Sequence, residues 1–566
     1  VAVDRITRIC KLGLALTALA SPAMAPAALA KNSRGAAATS PLAAYARARV
    51  AGADGALQEA AKGYAAVLAV RPDDAEIAAR AYRQALIAGN FPLALKSATV
   101  LDASGAIPAD GRLLLLARAV KAKDWAGAEA AIAATAKDGS FDFLVPVLRA
   151  WVAEASRSGD PIAILDAPTG SALTGALSAE HRALILLAAG RIDEGATAAQ
   201  AQVLTSDGGS TGLKLGAAAR LQAAGRKEQA LAVLRGDEPA IAAARRLVEA
   251  GKPIRAGTLD AAGGIATLLI RVGEAVQTDP RSPLALTLAR LANYLDPAND
   301  GATVVLARLL AVAGQGQVSL DLLAKLPADS VYLAPAQDLR VAVLTELGRK
   351  DEALTLAKSN SAGADATLAD YVRAGDLLVS LDRQAEAADY YTRAIDLAQK
   401  SPELADRMWS LWLLKGGAHE RAGNWAEAKP ALEQAVKLGP LQPAALNYLG
   451  YAQLERRENV PAAMALIERA SGLRPEDPAI TDSLGWAHFL IGDVARAIPA
   501  LERAVQGQPA DPTINEHLGD AYWAAGRRFE ARHAWRAAEV FADTAEVARR
   551  AKIKADQGFT PDLAAR

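Results

Sequence analysis

Between Pro443 and Ala542 the chain repeats one pattern three times. Leu449-Gly450, Leu484-Gly485 and Leu518-Gly519 mark equivalent points 35 and 34 residues apart. A tight turn follows, seen in Ile491-Gly492-Asp493 and Ala525-Gly526-Arg527. Then come a small residue, Ala497 or Ala531, a large one, Leu501 or Trp535, and Ala504 or Ala538; the first of these units closes on Pro509. Repetition at this period means helix-turn-helix modules, none of which buries its apolar face alone, so the modules must stack.

The order Leu-Gly, aromatic, turn glycine, Ala, bulky residue, Ala and Pro resembles the tetratricopeptide repeat (TPR) family. A further unit is anchored by Gly416, Gly423, Ala428, Leu432, Ala435 and Pro440. Another has Gly375, Ala387, Tyr391 and Ala394, set apart by extra residues around Ser401-Pro402. The likeness spans Leu368–Ala542 and fades upstream. It implies an all-α, right-handed α-solenoid of stacked helix-turn-helix repeats, small residues packing against large.

Composition agrees with helices. Apolar residues are 52% of the chain but aromatics only 5%, so the apolar content is mostly alanine and leucine, helix formers rather than sheet formers. Lys+Arg and Asp+Glu are both 63, and a balanced chain lacks the basic excess on which phosphate-neutralising nucleic-acid binders depend.

Residues 1–30 read as a secretory signal peptide. Arg5, Arg8 and Lys11 precede the apolar run Leu12–Ala20, and Ala23-Met24-Ala25 or Ala28-Leu29-Ala30 offers a cleavage site. The run is shorter than the roughly 20 residues that span a bilayer. The lone Cys10 precedes it, so the expected mature chain has no thiol for a disulfide, a metal or a lipid anchor. An amphipathic start of a cytosolic protein is the alternative.

Residues 31–41 are expected as a flexible leader, 42–250 as degenerate TPR-like helical repeats, and the glycine-rich 251–264 as a candidate hinge. Residues 265–367 are expected as further degenerate repeats, 368–542 as regular ones, and 543–566 as a capping helix and tail. Glu546, Arg549, Arg550, Lys552 and Lys554 would give that cap a solvated polar face.

Catalytic motifs are missing. His419-Glu420 begins like a zinc-protease helix, but Gly423 stands where the second histidine belongs. Gly170-Ser171 lacks the glycine of a nucleophile elbow, Leu173 standing in its place. His181, His419, His488, His517 and His533 all fall in predicted helices, at packing or surface positions. No metal or cofactor is implied. The one enzymatic alternative places a site in the irregular middle, residues 138–264, where Asp160, Asp166, Asp207 and Glu238 lie on loops.

What remains is recognition. The family resemblance implies binding of an extended or helical protein segment on the concave face, lined by first helices. It places there Asn447, Tyr451 and Leu454, then Asp482, Trp486 and Phe489, then Glu516, Asp520 and Trp523. Four aromatics and three carboxylates suit an apolar segment bearing some positive charge. Trp486 and Trp523 could instead fill the seam between helices, and the acidic residues could be a solvated face. The chaperone-binding subtype is set aside: Leu413, Gly417, Tyr448, Ser483 and His517 stand where its cationic clamp belongs. The reading is a non-catalytic scaffold or assembly factor of the bacterial envelope, associated with an outer-membrane assembly. It takes protein partners, with no nucleic acid and no membrane span; a cytosolic adaptor is the alternative.

Overall fold

The computed structural model describes residues 40–168, 171–205, 209–275, 283–363 and 366–560. The expected signal peptide and most of the expected leader lie outside these residues. Ser40 and Pro41 are already structured: the Ser40 side chain accepts a hydrogen bond from the Ala43 N–H and caps the helix Pro41–Ala53. Among the described residues every regular element is helical, and none of the helices is long and apolar enough to cross a membrane. The chain divides between Ala353 and Leu354 into two compact units, and residues 251–264 lie inside the first.

The second unit is a row of antiparallel hairpins. Leu368–Ser380 pairs with Gln384–Ala398, Met408–Arg421 with Trp425–Leu438, and Pro443–Glu455 with Val460–Leu473. Pro478–Leu490 then pairs with Val494–Gly507, Pro512–Ala524 with Arg528–Phe541, and the helix Ala545–Gln557 follows. The extra residues after Ser401 form the short 3-10 helix Pro402–Arg407. Asp477 and Asp511 start their helices by accepting hydrogen bonds from two backbone N–H groups each, with proline at the first helical position, where the missing donor is not needed.

The repeated glycine has a steric reason. A Cβ at Gly485 would stand 2.7 Å from the Leu501 side chain, and one at Gly519 would stand 2.4 Å from the Trp535 indole. Gly450 faces Ile467 and Gly416 faces Leu432 in the same way. Each hairpin thus closes small against large. The apolar core is correspondingly a series of local clusters, such as Leu454, Ile467 and Ala487, or Leu501, Leu518 and Trp535, each shared by neighbouring hairpins.

The first unit begins likewise, with Pro41–Ala53 against Leu57–Val70, Ala75–Ala88 against Phe91–Ala103, and Ala109–Ala122 against Trp125–Asp138. Its later helices do something else. Ala261–Ala275 and Pro283–Leu295 pack against several earlier helices at once: Ala75–Ala88, Ala109–Ala122, Val145–Ser156 and Ala172–Ala188. Trp151 is fully buried, with its indole on Gly264, where a Cβ would come within 2.1 Å. Its Nε1–H donates to His181 Nδ1 at 3.0 Å. Arg290 Nη2 donates to the Ile87 carbonyl at 2.7 Å, and Tyr294 stacks on Phe91 with 4.3 Å between ring centroids. One continuous core results, running from Ala48 to Val331. Gly264, expected in a hinge, is a point of close packing.

Candidate partner-binding face

The expected binding residues occupy three successive first helices of the second unit, but most of the charged ones face inward. Trp486 is 1% exposed. Its ring lies between Phe489, at 4.8 Å between centroids, and His517, at 4.0 Å, in a near-parallel stack of three. The indole Nε1–H donates to Glu455 Oε1 at 2.6 Å, tying the stack to the preceding repeat. Trp486 thus fills the seam between helices, the alternative reading of that position, and Leu454, expected on the open face, is buried with Ile467 and Ala487.

The carboxylates are spent on the chain's own cations. Asp482 receives His517 Nδ1, with both oxygens at 3.0 Å, and the imidazole is wholly buried. Burial alone would lower the His517 pKa, but the Asp482 charge and hydrogen bond, with Asp520 and Glu516 nearby, raise it above its ordinary value. Glu516 takes a two-pronged bond from Arg550, both distances 2.7 Å, and a contact from Lys554 at 2.8 Å. Burial pushes its carboxyl up, and the two cations hold it below the usual range. Asp520 accepts Lys554 Nζ on both oxygens at 2.8 Å and the Trp535 indole N–H at 2.8 Å. Burial dominates there, and the Asp520 carboxyl lies above its usual range despite the lysine.

The carboxylates therefore pair with Arg and Lys as their chemistry demands, but within the chain. Asp482, Trp486, Glu516 and Asp520 cannot present their side chains to a partner, and Lys554, expected on a solvated cap, is fully buried. The signal for this lay in the period itself. Arg550 and Lys554 each follow their carboxylate by 34 residues. The helix Ala545–Gln557 continues the register as an unpaired first helix, and its cations stand one repeat beyond the acids they meet.

Asn447, Tyr451, Phe489 and Trp523 remain half-buried. Asn447 Nδ2 donates to Ser483 Oγ at 3.1 Å. The Tyr451 hydroxyl is held neutral, its pKa raised well above the ordinary value by burial and by Glu455, Asp482, Glu420 and Glu516. Trp523 is flanked by Trp535, by the Arg528 guanidinium 3.7 Å from its centroid, and by Gly558 of the final segment. Of the expected binding residues these four alone, with Asn447 the one that is not aromatic, keep partial exposure.

Elsewhere the candidate catalytic groups have structural work. Asp160 caps the helix Pro161–Asp166, Asp166 pairs with Arg182, and Glu238 pairs with Lys214; Asp207 lies outside the described residues. His181 is neutral, its pKa lowered by burial to about 3, and its Nδ1 accepts the hydrogen bond from the Trp151 N–H. His488 is buried, 34 residues before Tyr522 of the next repeat, and His533 packs exposed against Phe529. Among the described residues no three side chains gather that could hold a metal ion.

Family models described as tetratricopeptide repeat match residues 371–401, 413–478 and 483–546. A TPR repeat-containing protein of Pseudomonas aeruginosa is 30% identical over 199 residues, covering 35% of this chain and 32% of that protein. The chain thus spans about a third of the length of that relative. A crystal structure of a tetratricopeptide repeat protein from Parabacteroides merdae is 15% identical, covering 44% of this chain and 95% of the other, with a TM-score of 0.38. A TPR protein of Thermus thermophilus is 19% identical, covering 33% of this chain and 97% of the other, with a TM-score of 0.29. The three Leu-Gly pairs fall within the matches 413–478 and 483–546, and over 371–401, 413–478 and 483–546 this chain carries tetratricopeptide repeats.

Proposed function

We propose that the second unit is a non-catalytic binding scaffold that captures a segment of a partner protein along the strip of Asn447, Tyr451, Phe489 and Trp523. The observation that carries this reading is the half-open stack at Phe489. Its ring stacks on Trp486, which is itself backed by His517, and an aromatic held in place and only half-buried anchors a partner at little entropic cost. The engaged state of Asp482, Glu516 and Asp520 makes the strip more apolar than their presence in the sequence implies. The partner segment is accordingly apolar, with positive charge confined to the Glu455 side.

Within the same proposal, residues 1–30 direct export and the scaffold serves an assembly in the bacterial envelope. A photo-crosslinking residue at Tyr451 or Phe489 in living cells should trap one defined protein, and the same residue at the outward-facing Val540 should not. The combined Tyr451→Ala and Phe489→Ala variant should lose that partner while keeping its helicity. Equal trapping at Val540 would overturn the reading. The export arm rests on sequencing the N-terminus of fractionated protein: a retained Val1 start would remove it.

A further inference from the structure

The helix Ala545–Gln557 is held in place by charge where its predecessors are held by apolar packing. The other first helices of the second unit bury large apolar side chains, as Pro512–Ala524 does with Ile514, Leu518 and Tyr522. Ala545–Gln557 fully buries only Ala551, Lys554 and Ala555, and its Val547 and Ile553 stay half-buried. Its hold is polar instead. Arg550 forks onto Glu516, and Lys554, with no exposure, lies between Glu516 and Asp520. Arg532 Nε donates to the Ala555 carbonyl at 3.1 Å, a cation at the negative end of the helix.

A buried ion pair adds little net stability, because desolvation of both charges offsets most of their attraction; yet a neutral replacement strands the charge that remains. The seat on Pro512–Ala524 is therefore selective, while its occupant is loosely kept. Only Ala542–Thr544 joins that occupant to the preceding helix, and an element at the end of a row with little apolar contact opens first. With the helix seated, neither acid meets a partner. With it displaced, Glu516 and Asp520 form one acidic face.

We infer that Ala545–Gln557 is the resident occupant of an exchangeable seat, and that a helix of another protein, carrying Arg and Lys one turn apart, takes its place on Glu516 and Asp520. The charges decide the class: an acidic or neutral helix would leave both carboxylates uncompensated, whereas arginine meets Glu516 fork to fork. A second copy of this chain gains nothing by the exchange. It brings the same contacts and lacks the effective concentration that the short connector gives the resident helix. A foreign helix gains where the resident is poorest, by burying more apolar surface than two alanines. The seat adjoins the strip proposed above at Trp523, which Gly558 touches, and does not depend on it.

The resident helix is its own probe. A labelled peptide of residues 543–560 is titrated into the full chain carrying Arg550→Ala and Lys554→Ala, and anisotropy is read at low ionic strength. Saturable binding is expected, at least about tenfold tighter than to the native chain, whose own helix competes. The peptide with both cations replaced by alanine should bind at least about tenfold more weakly, and a scrambled peptide of the same composition should not compete. In the native chain, hydrogen exchange should show Ala545–Gln557 opening more readily than Pro512–Ala524 and Arg528–Phe541, a reading that needs no variant to fold. Absence of saturable binding, equal binding of the native and alanine peptides, or competition by the scrambled one would overturn the inference. So would exchange of the terminal helix only together with the hairpin before it, or a native dimer in light scattering that the two alanine replacements dissociate. Failure of crosslinking at Tyr451 and Phe489 would remove the strip and leave the seat standing.

Discussion

His517 shows how one buried side chain ties stability to pH. Its pKa lies above 6.5 because the attraction of Asp482 outweighs the cost of burial. The folded state therefore holds the proton more tightly than the unfolded chain does. The sign follows: this stabilisation is complete below pH 6.5 and is lost as pH rises through the folded-state value, at about 1.4 kcal/mol for each pH unit of separation. Melting of the second unit should accordingly fall across that window. In Asp482→Asn the largest attraction on the proton is gone and burial is opposed only by the weaker pull of Asp520 and Glu516, so the imidazole should titrate lower than in the native chain and the window should narrow. Imidazole resonances followed by NMR against pH check both, and an unshifted His517 in the native chain would refute the account. A second expectation concerns Gly519. The Gly519→Ala methyl would be forced onto Trp535, and overpacking of this kind costs about 1–3 kcal/mol, measurable by denaturant unfolding. Gly519 was legible in the sequence because its spacing recurs. The His517–Asp482 pair, 35 residues apart, is legible only when residues are compared across one repeat period, because nothing in either repeat alone announces the other.

At the turns between helices, one register position shows what repetition does and does not enforce. Gly423, Gly492 and Gly526 adopt left-handed backbone angles, and at the equivalent points Asp382 and Arg457 do so with side chains, at φ of 62° and 52°. A left-handed non-glycine residue costs roughly 1–2 kcal/mol, partly offset because glycine loses more freedom on folding. Arg457→Gly should thus stabilise the hairpin by up to about 1 kcal/mol, seen as a higher denaturant midpoint. The terminal helix Ala545–Gln557 gives the opposite case. Lys554→Ala would leave Asp520 and Glu516 buried without their shared cation, a loss that costs about 3–5 kcal/mol. Combining it with Asp520→Leu should recover part of this, because the stranded charge goes too; a double variant no better than the single would show that packing rather than charge is at stake. Of the polar face expected on this helix, Glu546, Arg549 and Lys552 are exposed, whereas Arg550 is half-buried and Lys554 fully buried. Composition says that Lys and Arg prefer water, and only the 34-residue offset, extended one step past the last full repeat, says where they go.

The two units solve the same packing problem differently, and that difference explains where the family signature fades. In the second unit each hairpin meets only its neighbours, so the same small and large residues are required at each step and the pattern is repeated. In the first unit the hairpin of Ala261–Ala275 and Pro283–Leu295 touches several earlier helices, so positions left open in a simple row are buried here against different neighbours. Trp151, His181 and Gly264 answer to that one contact, and no periodic rule can report it. Cooperativity should differ accordingly. A single core opens as a whole, whereas a row of local cores opens stepwise from its ends. Native-state hydrogen exchange should place amides of Ala109–Ala122, Val145–Ser156 and Ala261–Ala275 in one class with a common opening free energy. Across Leu368–Ala524 protection should instead be graded from hairpin to hairpin. Gly264→Ala, which drives a methyl into the Trp151 indole, should lower protection uniformly through the first unit's core, while Gly485→Ala should lower it mainly in its own and adjoining hairpins. Uniform loss from Gly485→Ala across all five hairpins, or a loss from Gly264→Ala confined to its own helix, would mean that the division into one shared core and many local ones does not govern how this chain opens.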